Sequence, residues 1–397
     1  MVSATQRAEQ VGACCLRLEI RDESVCHYVR RSIYPSKGIK VVQPPCPQKY
    51  GYSRPASFLG DPEEKTLKLY VDRINADGGV LGRKLQLFVY DDGSDSSKAN
   101  SFVKRLILQD NVDLIVGGST TGSTMAMLPL VEAHKIPFLS MGAASVIVEP
   151  VRPYTFKLPH SDRMAAQKVL DDMKARGFTK FALLSDTGGF GKSGHNETVK
   201  LAKKMGMTIV SDQNYGEKDT DITPQLQKIK SSDAQAVFVF GTGQAPAIAA
   251  KNYQQLALQI PLYMSHGQAS MDFVKLAGKA AEGVRMPTPA LLVADQLPDT
   301  DPQKRIGMDY KRVYEEHYKT DVSTFGGYAY DGLMMSIAAI KKAGSTNKAK
   351  VRSALENLKN FYGVNGIYNM TPTDHMGLDQ QAFRMAVIKD GKFVEIK

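Results

Sequence analysis

From about residue 56 onward, short apolar runs and amphipathic stretches follow one another along the chain. Runs rich in β-branched and aromatic residues, such as 85–92 and 112–118, predict buried strands, and the stretches between them predict helices. Alternation of this kind builds mostly parallel sheets with helices on both faces. Because two consecutive series of about 120 residues occur rather than one long series, we expect an α/β protein of two lobes with a cleft between them.

A proline-rich stretch from Met286 to Pro302 interrupts the alternation and predicts a connection back to the first lobe. Three helical patterns and two short strand patterns follow it. We therefore predict an N-terminal lobe of 38–160 plus 288–362 and a C-terminal lobe of 161–287 plus 363–397.

Residues 1–37 differ from the rest of the chain in charge, cysteine content and periodicity. All four cysteines lie within the first 46 residues, and residues 1–54 carry nine Lys and Arg against four Asp and Glu. We interpret 1–37 as an atypical leader, disordered or misassigned through a frame error; a genuine regulatory leader is the alternative. Its apolar run is too short and too charged for a secretion signal. The first strand pattern is 39–42, and Pro44, Pro45 and Pro47 forbid its continuation.

The net charge of +10 permits an anionic partner, but half of it belongs to residues 1–54. The body of the chain has no basic stripe with interleaved aromatic residues, which disfavours nucleic-acid binding. It also has no apolar run long enough for a membrane span. A cysteine-free body suits an exported protein.

Small and hydroxyl-bearing residues follow two neighbouring strands. Ser119, Thr120, Thr121, Gly122 and Ser123 stand between a strand and a helix, where free backbone N–H groups and the helix dipole favour a carboxylate. Simple N-capping is the alternative. The next strand ends in a second set, which comprises Gly142, Ala143, Ala144 and Ser145. Convergence of two such loops favours a ligand site.

Reaction chemistry finds little support in the sequence. The seven histidines show no metal-ligand spacing, no cysteine of the body can join them, and no serine stands in a G-x-S-x-G motif. We therefore predict no catalytic residue, no metal and no cofactor.

Three phrases carry a family resemblance in this order: "LKLYVDRINADGGVLGRKLQLFVYDD", "VDLIVGGSTTGSTMAMLPLVEAHKIPFLS" and "STFGGYAYDGLMMSIAAIKKAGS". With them, the chain from about Ala56 to Val394 resembles the type I periplasmic binding proteins of branched-chain amino-acid ABC transporters, of the leucine/isoleucine/valine-binding type. The resemblance implies two lobes joined by three crossings and closed by hinge motion. It implies ligand-carboxylate contacts from 120–123 and 142–145, and second-lobe contacts from Thr242, Gln244 and His266.

Two departures from the family qualify these expectations. Where its amino-acid binders place a carboxylate for the ligand ammonium, this chain has His266. An unpaired ammonium in a closed cleft is costly, so we predict an aromatic or aliphatic acid without an α-ammonium, with an amino acid as the alternative. The second departure is the interrupted strand pattern at 39–42, where the family has a first strand and a ligand-contacting loop.

The expected function is that of a periplasmic or other extracytoplasmic solute-binding protein. It would capture a small carboxylate and deliver it to ABC permease subunits, as a monomer that contacts the membrane only through the transporter, although no signal peptide is visible. A ligand-responsive transcription regulator or sensor with the same fold is the alternative, but residues 1–54 show no helix-turn-helix pattern. An enzyme is disfavoured by the missing catalytic set.

Overall fold

A computed structural model describes residues 14–21 and 57–396, which form two lobes, each built on its own sheet. The strands are β1 (Cys14–Arg21), β2 (Lys84–Asp91), β3 (Ile115–Gly117), β4 (Phe138–Ser140), β5 (Thr155–Lys157), β6 (Lys180–Asp186), β7 (Thr208–Tyr215), β8 (Val237–Phe240), β9 (Leu262–Met264), β10 (Arg285–Pro289), β11 (Phe361–Tyr362), β12 (Ile367–Tyr368), β13 (Phe383–Lys389) and β14 (Lys392–Ile396). The helices are α1 (Ser57–Ala76), α2 (Ser96–Leu108), α3 (Thr121–Ala133), α4 (Asp162–Ala175), α5 (Gly189–Met205), α6 (Thr223–Lys230), α7 (Ala245–Gln255), α8 (Met271–Ala277), α9 (Pro302–Tyr318), α10 (Thr324–Ala343) and α11 (Lys348–Glu356).

The first-lobe sheet has the strand order β2-β1-β3-β4-β5. The strands β3, β4 and β5 are parallel, whereas β1 runs antiparallel to both of its neighbours. Cys15, near the start of β1, pairs with Gly117 at the end of β3. The start of β1 therefore lies beside the carboxyl end of β3, and the last residue of β1 lies at the opposite end of the strands.

The strand β1 places residues 14–21, which lie inside the predicted atypical leader of 1–37, in the first-lobe sheet. The segment Leu16–Arg21 alternates apolar and charged residues strictly, a period of two that suits a strand, whereas we had considered this run only as a secretion signal. The strand expected at 39–42, with the prolines after it, lies outside the described residues.

The second-lobe sheet has the order β14-β13-β10-β9-β8-β6-β7, and its strands from β10 to β7 are parallel. The four residues of β8 are all buried, as are six of the seven in β6. Continuous burial of this kind is typical of strands covered by helices on both faces. The mixed α/β class predicted from the sequence is confirmed.

The chain passes from the first lobe to the second for the last time later than the sequence predicted. Side chains of Val364, Tyr368, Met370 and Leu378 belong to the same apolar core as α1 and α10 of the first lobe. From the stretch 363–397, which we had placed in the second lobe, only β13 and β14 join the second sheet. The short hairpin of β11 and β12 hid this boundary, because its two-residue strands resemble the start of another sheet.

Three short crossings connect the lobes, at 158–161, 290–301 and 378–382. His160, in the first crossing, is fully buried. One of its ring nitrogens lies 3.1 Å from the hydroxyl of Tyr328, and the other lies 3.1 Å from the carbonyl oxygen of Ala382 in the third crossing. Two crossings and the helix α10 are thus tied together at one point. None of the described helices is long and apolar enough to cross a membrane.

The helix α5 packs so closely on β8 that one position requires glycine. A Cβ atom added at Gly194 would lie 2.0 Å from an atom of the Phe240 ring, which is itself fully buried. The contact matters for the cleft, because the first turn of α5 carries Phe190.

We expect Gly194→Ala to destabilise the protein by roughly 1–3 kcal/mol, despite the gain of about 1 kcal/mol in helix propensity. Gly307→Ala in α9 is the matched control, since a Cβ atom there meets only the methyl group of Ala294, at 3.1 Å. Urea unfolding of both variants measures the difference. Equal stability of the two variants would contradict the close packing of α5 on β8.

Candidate functional site

A cavity of about 400 Å³ lies between the lobes, where β3 and β4 of one sheet and β6, β8 and β9 of the other end. The carboxyl ends of strands are the usual place for ligands in open α/β sheets. The first lobe contributes Leu59, Gly93, Ser94, Asp95, Ser96, Ser119, Thr120, Thr121, Gly122, Met141, Ala143, Pro159, Phe325 and Tyr328, and the second contributes Gly189, Phe190, Glu217, Lys218, Thr242, Gly243, His266 and Gly267.

The first-lobe wall includes the N-terminus of α3. Thr120 caps this helix, because its side chain accepts a hydrogen bond from the backbone N–H of Ser123 at 3.1 Å. The N–H groups of Thr121 and Gly122 precede the first intrahelical donor and have no partner within the helix. Thr121 is 5% exposed, and its hydroxyl makes no hydrogen bond. This wall therefore offers uncommitted donors at the positive end of a helix dipole.

A buried acid lies directly behind this wall. Ser119, which lines the cavity, donates its hydroxyl hydrogen bond to the carboxyl group of Glu63 in α1. Burial raises the pKa of Glu63 well above its ordinary value, the bond from Ser119 opposes that rise, and Asp92 adds to it. The uncharged carboxyl is therefore favoured, and little negative charge opposes an anion on the cavity side of Ser119.

The second-lobe wall places His266 in the cavity with both ring nitrogens unpaired. The residue is 3% exposed, and neither Nδ1 nor Nε2 has a hydrogen-bond partner. Burial, together with the nearby side chain of Lys157, lowers the pKa of His266 to about 3, although the backbone of His160 acts in the opposite direction. The imidazole is therefore neutral at physiological pH. Leaving its nitrogens unpaired costs free energy until a ligand or water occupies the cavity.

Asp186 organises the loops beside His266 from behind the cavity surface. Its Oδ1 accepts hydrogen bonds from the N–H groups of Gly188 and Gly191, at 2.8 and 3.2 Å, and its Oδ2 accepts one from Thr242 at 3.1 Å. Burial raises the pKa of Asp186 to about 6, and the charge of Glu217 adds to the rise. With three backbone donors bound, this carboxylate serves the loops and is not a free partner for a ligand cation.

Among the described residues, the carboxylates that line the cavity are those of Asp95 and Glu217, both exposed. The inner surface is instead apolar and aromatic, with Phe190 from α5 and with Phe325 and Tyr328 from α10. The cavity therefore combines an anion-favouring end, an apolar body and a neutral imidazole. In the described part of the chain, no group of three or more His, Cys, Asp or Glu side chains could hold a metal ion.

The structure brings most of the predicted site residues together in this cavity. Those that line it are Ser119, Thr120, Thr121, Gly122, Ala143, Thr242 and His266. The predicted residues that do not line it are Ser123, Gly142, Ala144, Ser145 and Gln244.

The residues outside the cavity have structural partners instead. The hydroxyl of Ser145 donates to Oδ1 of Asp162 at 2.5 Å, and Ser145 lines a separate cavity of about 390 Å³. Ala144 packs among apolar residues, and Gly142 donates its N–H to the hydroxyl of Ser140 at 3.0 Å. Both the backbone N–H group and the hydroxyl of Ser123 form hydrogen bonds with the hydroxyl of Thr120, which caps α3.

Gln244 immediately precedes α7, and its carbonyl oxygen accepts hydrogen bonds from Ala247 and Ile248. The two predicted strand-end loops therefore differ in their position relative to the cavity. The loop after β3 faces the cleft, whereas the loop after β4 contributes Ala143 and then turns away.

Sequence reasoning missed the aromatic wall and the loop that follows β2. Phe190 follows the glycine-rich turn before α5, and Tyr328 lies inside a predicted helix. The segment Gly93–Ser96 had a usable signal, because small polar residues follow a strand and precede a helix there, as they do at 119–123.

Removal of the unpaired hydroxyl at Thr121 should leave the empty protein as stable as before. We expect Thr121→Val to change the free energy of unfolding by less than about 0.5 kcal/mol. In the same helix, Thr124→Val removes bonds to the carbonyl oxygen of Gly118 and the hydroxyl of Ser140 and should cost roughly 1–3 kcal/mol. Denaturant titration of both variants tests this, and an equal loss in the two would mean that Thr121 has a structural partner.

The neutral state of His266 predicts a specific acid sensitivity. The folded-state pKa lies near 3, below the ordinary value of 6.5, so between these values the unfolded chain binds a proton that the folded chain does not. Stability from this residue is complete above pH 6.5 and declines as the pH falls. Relative to wild type, His266→Gln should therefore become more stable by roughly 1–3 kcal/mol between pH 7 and pH 4.5. A difference that stays constant over this range would show that His266 titrates normally.

Comparison with known proteins agrees with this geometry. A family model described as periplasmic binding protein matches residues 51–392. The leucine-, isoleucine-, valine-, threonine- and alanine-binding protein of Pseudomonas aeruginosa is 21% identical over 336 residues, covering 82% of this chain and 83% of that protein.

Two solved structures share the architecture. An extracellular ligand-binding receptor from Rhodopseudomonas palustris HaA2 is 25% identical with a TM-score of 0.81, covering 86% of this chain and 96% of that one. A solute-binding protein of an ABC transporter from R. palustris, solved in complex with benzoate, is 22% identical with a TM-score of 0.76, covering 87% and 93%.

The matched family comprises substrate-binding proteins that act outside the cytoplasm, and the model match covers most of the chain. With its two lobes and the cleft between them, the chain belongs to the periplasmic binding proteins of type I, in the branched-chain amino-acid family.

Proposed function

We propose that this protein is the extracytoplasmic solute-binding component of an ABC importer, that it catalyses no reaction, and that its ligand is an organic acid without an α-ammonium group. The observation that carries the ligand class is the cavity wall around His266. The position that would pair with an ammonium holds a buried neutral imidazole, and the carboxylates lining the described cavity are exposed.

The proposal assigns each wall a role. The ligand carboxylate binds at the N-terminus of α3, through the N–H groups of Thr121 and Gly122 and the hydroxyl of Thr121. The apolar body of the ligand lies against Phe190 and Phe325. An ammonium group would lie beside the neutral imidazole of His266 without an opposite charge, which is unfavourable in a water-poor cleft.

The R. palustris solute-binding protein that holds benzoate supports this ligand class by analogy of fold. Benzoate has a carboxylate, an aromatic body and no ammonium. Delivery to membrane permease subunits follows from the transporter role of the related proteins and is part of the proposal, as are export of this chain and action as a monomer.

The decisive experiment compares ligands that differ only in the ammonium group. We expect 4-methylpentanoate to raise the melting temperature where leucine does not, and 3-phenylpropanoate to do so where phenylalanine does not, with benzoate as a smaller acid. A ligand at 100 times its dissociation constant adds about 2.7 kcal/mol of stability.

The variant Thr121→Val should weaken binding of the active acid about 10-fold to 100-fold, because a hydrogen bond to a charged group contributes about 1.5–3 kcal/mol. Calorimetry measures this, with Thr124→Val as the control at equal folded fraction. Stabilisation by the amino acids and not by their deaminated counterparts would overturn the proposed ligand class.

A further inference from the structure

His266 is a buried residue of the second-lobe wall whose ring nitrogens have no hydrogen-bond partner. Two neighbouring polar side chains, in contrast, bond to backbone carbonyl oxygens. The hydroxyl of Ser265 donates to the carbonyl oxygen of Gly241 at 3.0 Å, and the side-chain amide of Gln268 donates to the carbonyl oxygen of Gly243 at 3.3 Å. Both ring nitrogens of His266 are left unpaired beside the cavity. A buried donor and acceptor without partners on a cavity wall point to a polar group of the ligand.

Aromatic rings hold the imidazole in place. The rings of Phe190 and Phe383 both contact the imidazole edge to face, at centroid distances of 5.3 and 5.4 Å. Because Phe383 is buried and begins β13, it restricts the orientation of His266 without competing for its nitrogens. The position is therefore rigid and apolar except for the imidazole itself.

We propose that His266 is a specificity-determining residue that hydrogen-bonds an uncharged hydroxyl group on the ligand, remote from the ligand carboxylate. The inference rests on the proposed function, because it presupposes an organic acid in the cleft. The ligand class that it names is a hydroxyl-bearing acid with an apolar, preferably aromatic, body.

The chemistry of a neutral imidazole selects a hydroxyl group over charged alternatives. One ring nitrogen donates and the other accepts, and a hydroxyl, which also donates and accepts, can bind either nitrogen. A ligand ammonium would find no counter-charge there. A second carboxylate would be enclosed among the aromatic rings with a single N–H donor on the imidazole.

The experiment measures dissociation constants by calorimetry for benzoate, its three monohydroxy derivatives and terephthalate, using the full chain. We expect at least one hydroxybenzoate to bind about tenfold more tightly than benzoate, because a hydrogen bond to an otherwise unpaired buried group contributes about 1–1.5 kcal/mol. In His266→Leu the ratio of the two constants should fall to about one, whereas His266→Gln, which keeps a donor and an acceptor, should retain part of the preference.

His195→Leu is the matched control, because this histidine belongs to the same lobe but pairs with Asp212 outside the cleft, and it should leave the ratio unchanged. Equal binding of benzoate and every hydroxybenzoate by wild type overturns the role of His266 while the proposed function stands. Tighter binding of terephthalate than of any hydroxybenzoate, or a preference that survives in His266→Leu, overturns it as well. If amino acids bind and no organic acid does, the proposed function itself fails, and this inference fails with it.

Discussion

The buried imidazole of His160 is the contact on which the arrangement of the two lobes depends. It joins the first crossing to the third through the carbonyl oxygen of Ala382 and joins both to α10 through Tyr328. Burial lowers the pKa of His160 well below its ordinary value, so the ring remains a neutral bridge. Because Tyr328 also lines the cavity, the same contact that ties the crossings together sets one wall of the cleft.

The buried acids close to the cleft support its loops and do not line the cavity. Burial raises the pKa of Glu63, Asp92 and Asp186, each of which stands behind a loop rather than on the cavity surface. Their oxygens hold loops in place, as the three backbone donors on Asp186 show. Buried carboxylates thus support the walls, whereas hydroxyl, backbone amide and imidazole groups lie on the cavity surface.

Sequence patterns predicted what depends on local chemistry. The strand, small polar turn and helix around Thr120 were predictable because capping and helix dipoles act over a few residues, and buried parallel strands such as β8 were predictable from continuous apolar runs. The aromatic wall was not, because Phe190 and Tyr328 meet only after separate helices fold. Nor was the burial of Ser145, whose partner Asp162 lies beyond the first crossing. The antiparallel β1 escaped notice because its alternation is short and its pairing with β2 and β3 is set by distant residues.

The unpaired hydroxyl of Thr121 and the unpaired imidazole of His266 belong to different lobes. A molecule whose contacts all lie on one lobe has the same affinity for every separation of the lobes, and such a molecule shifts no conformational equilibrium however tightly it binds. A molecule that spans the gap gains its second bond only when the lobes approach. The length of the solute thereby decides whether binding and closure are coupled. A solute that spans both lobes couples them, and a short solute does not.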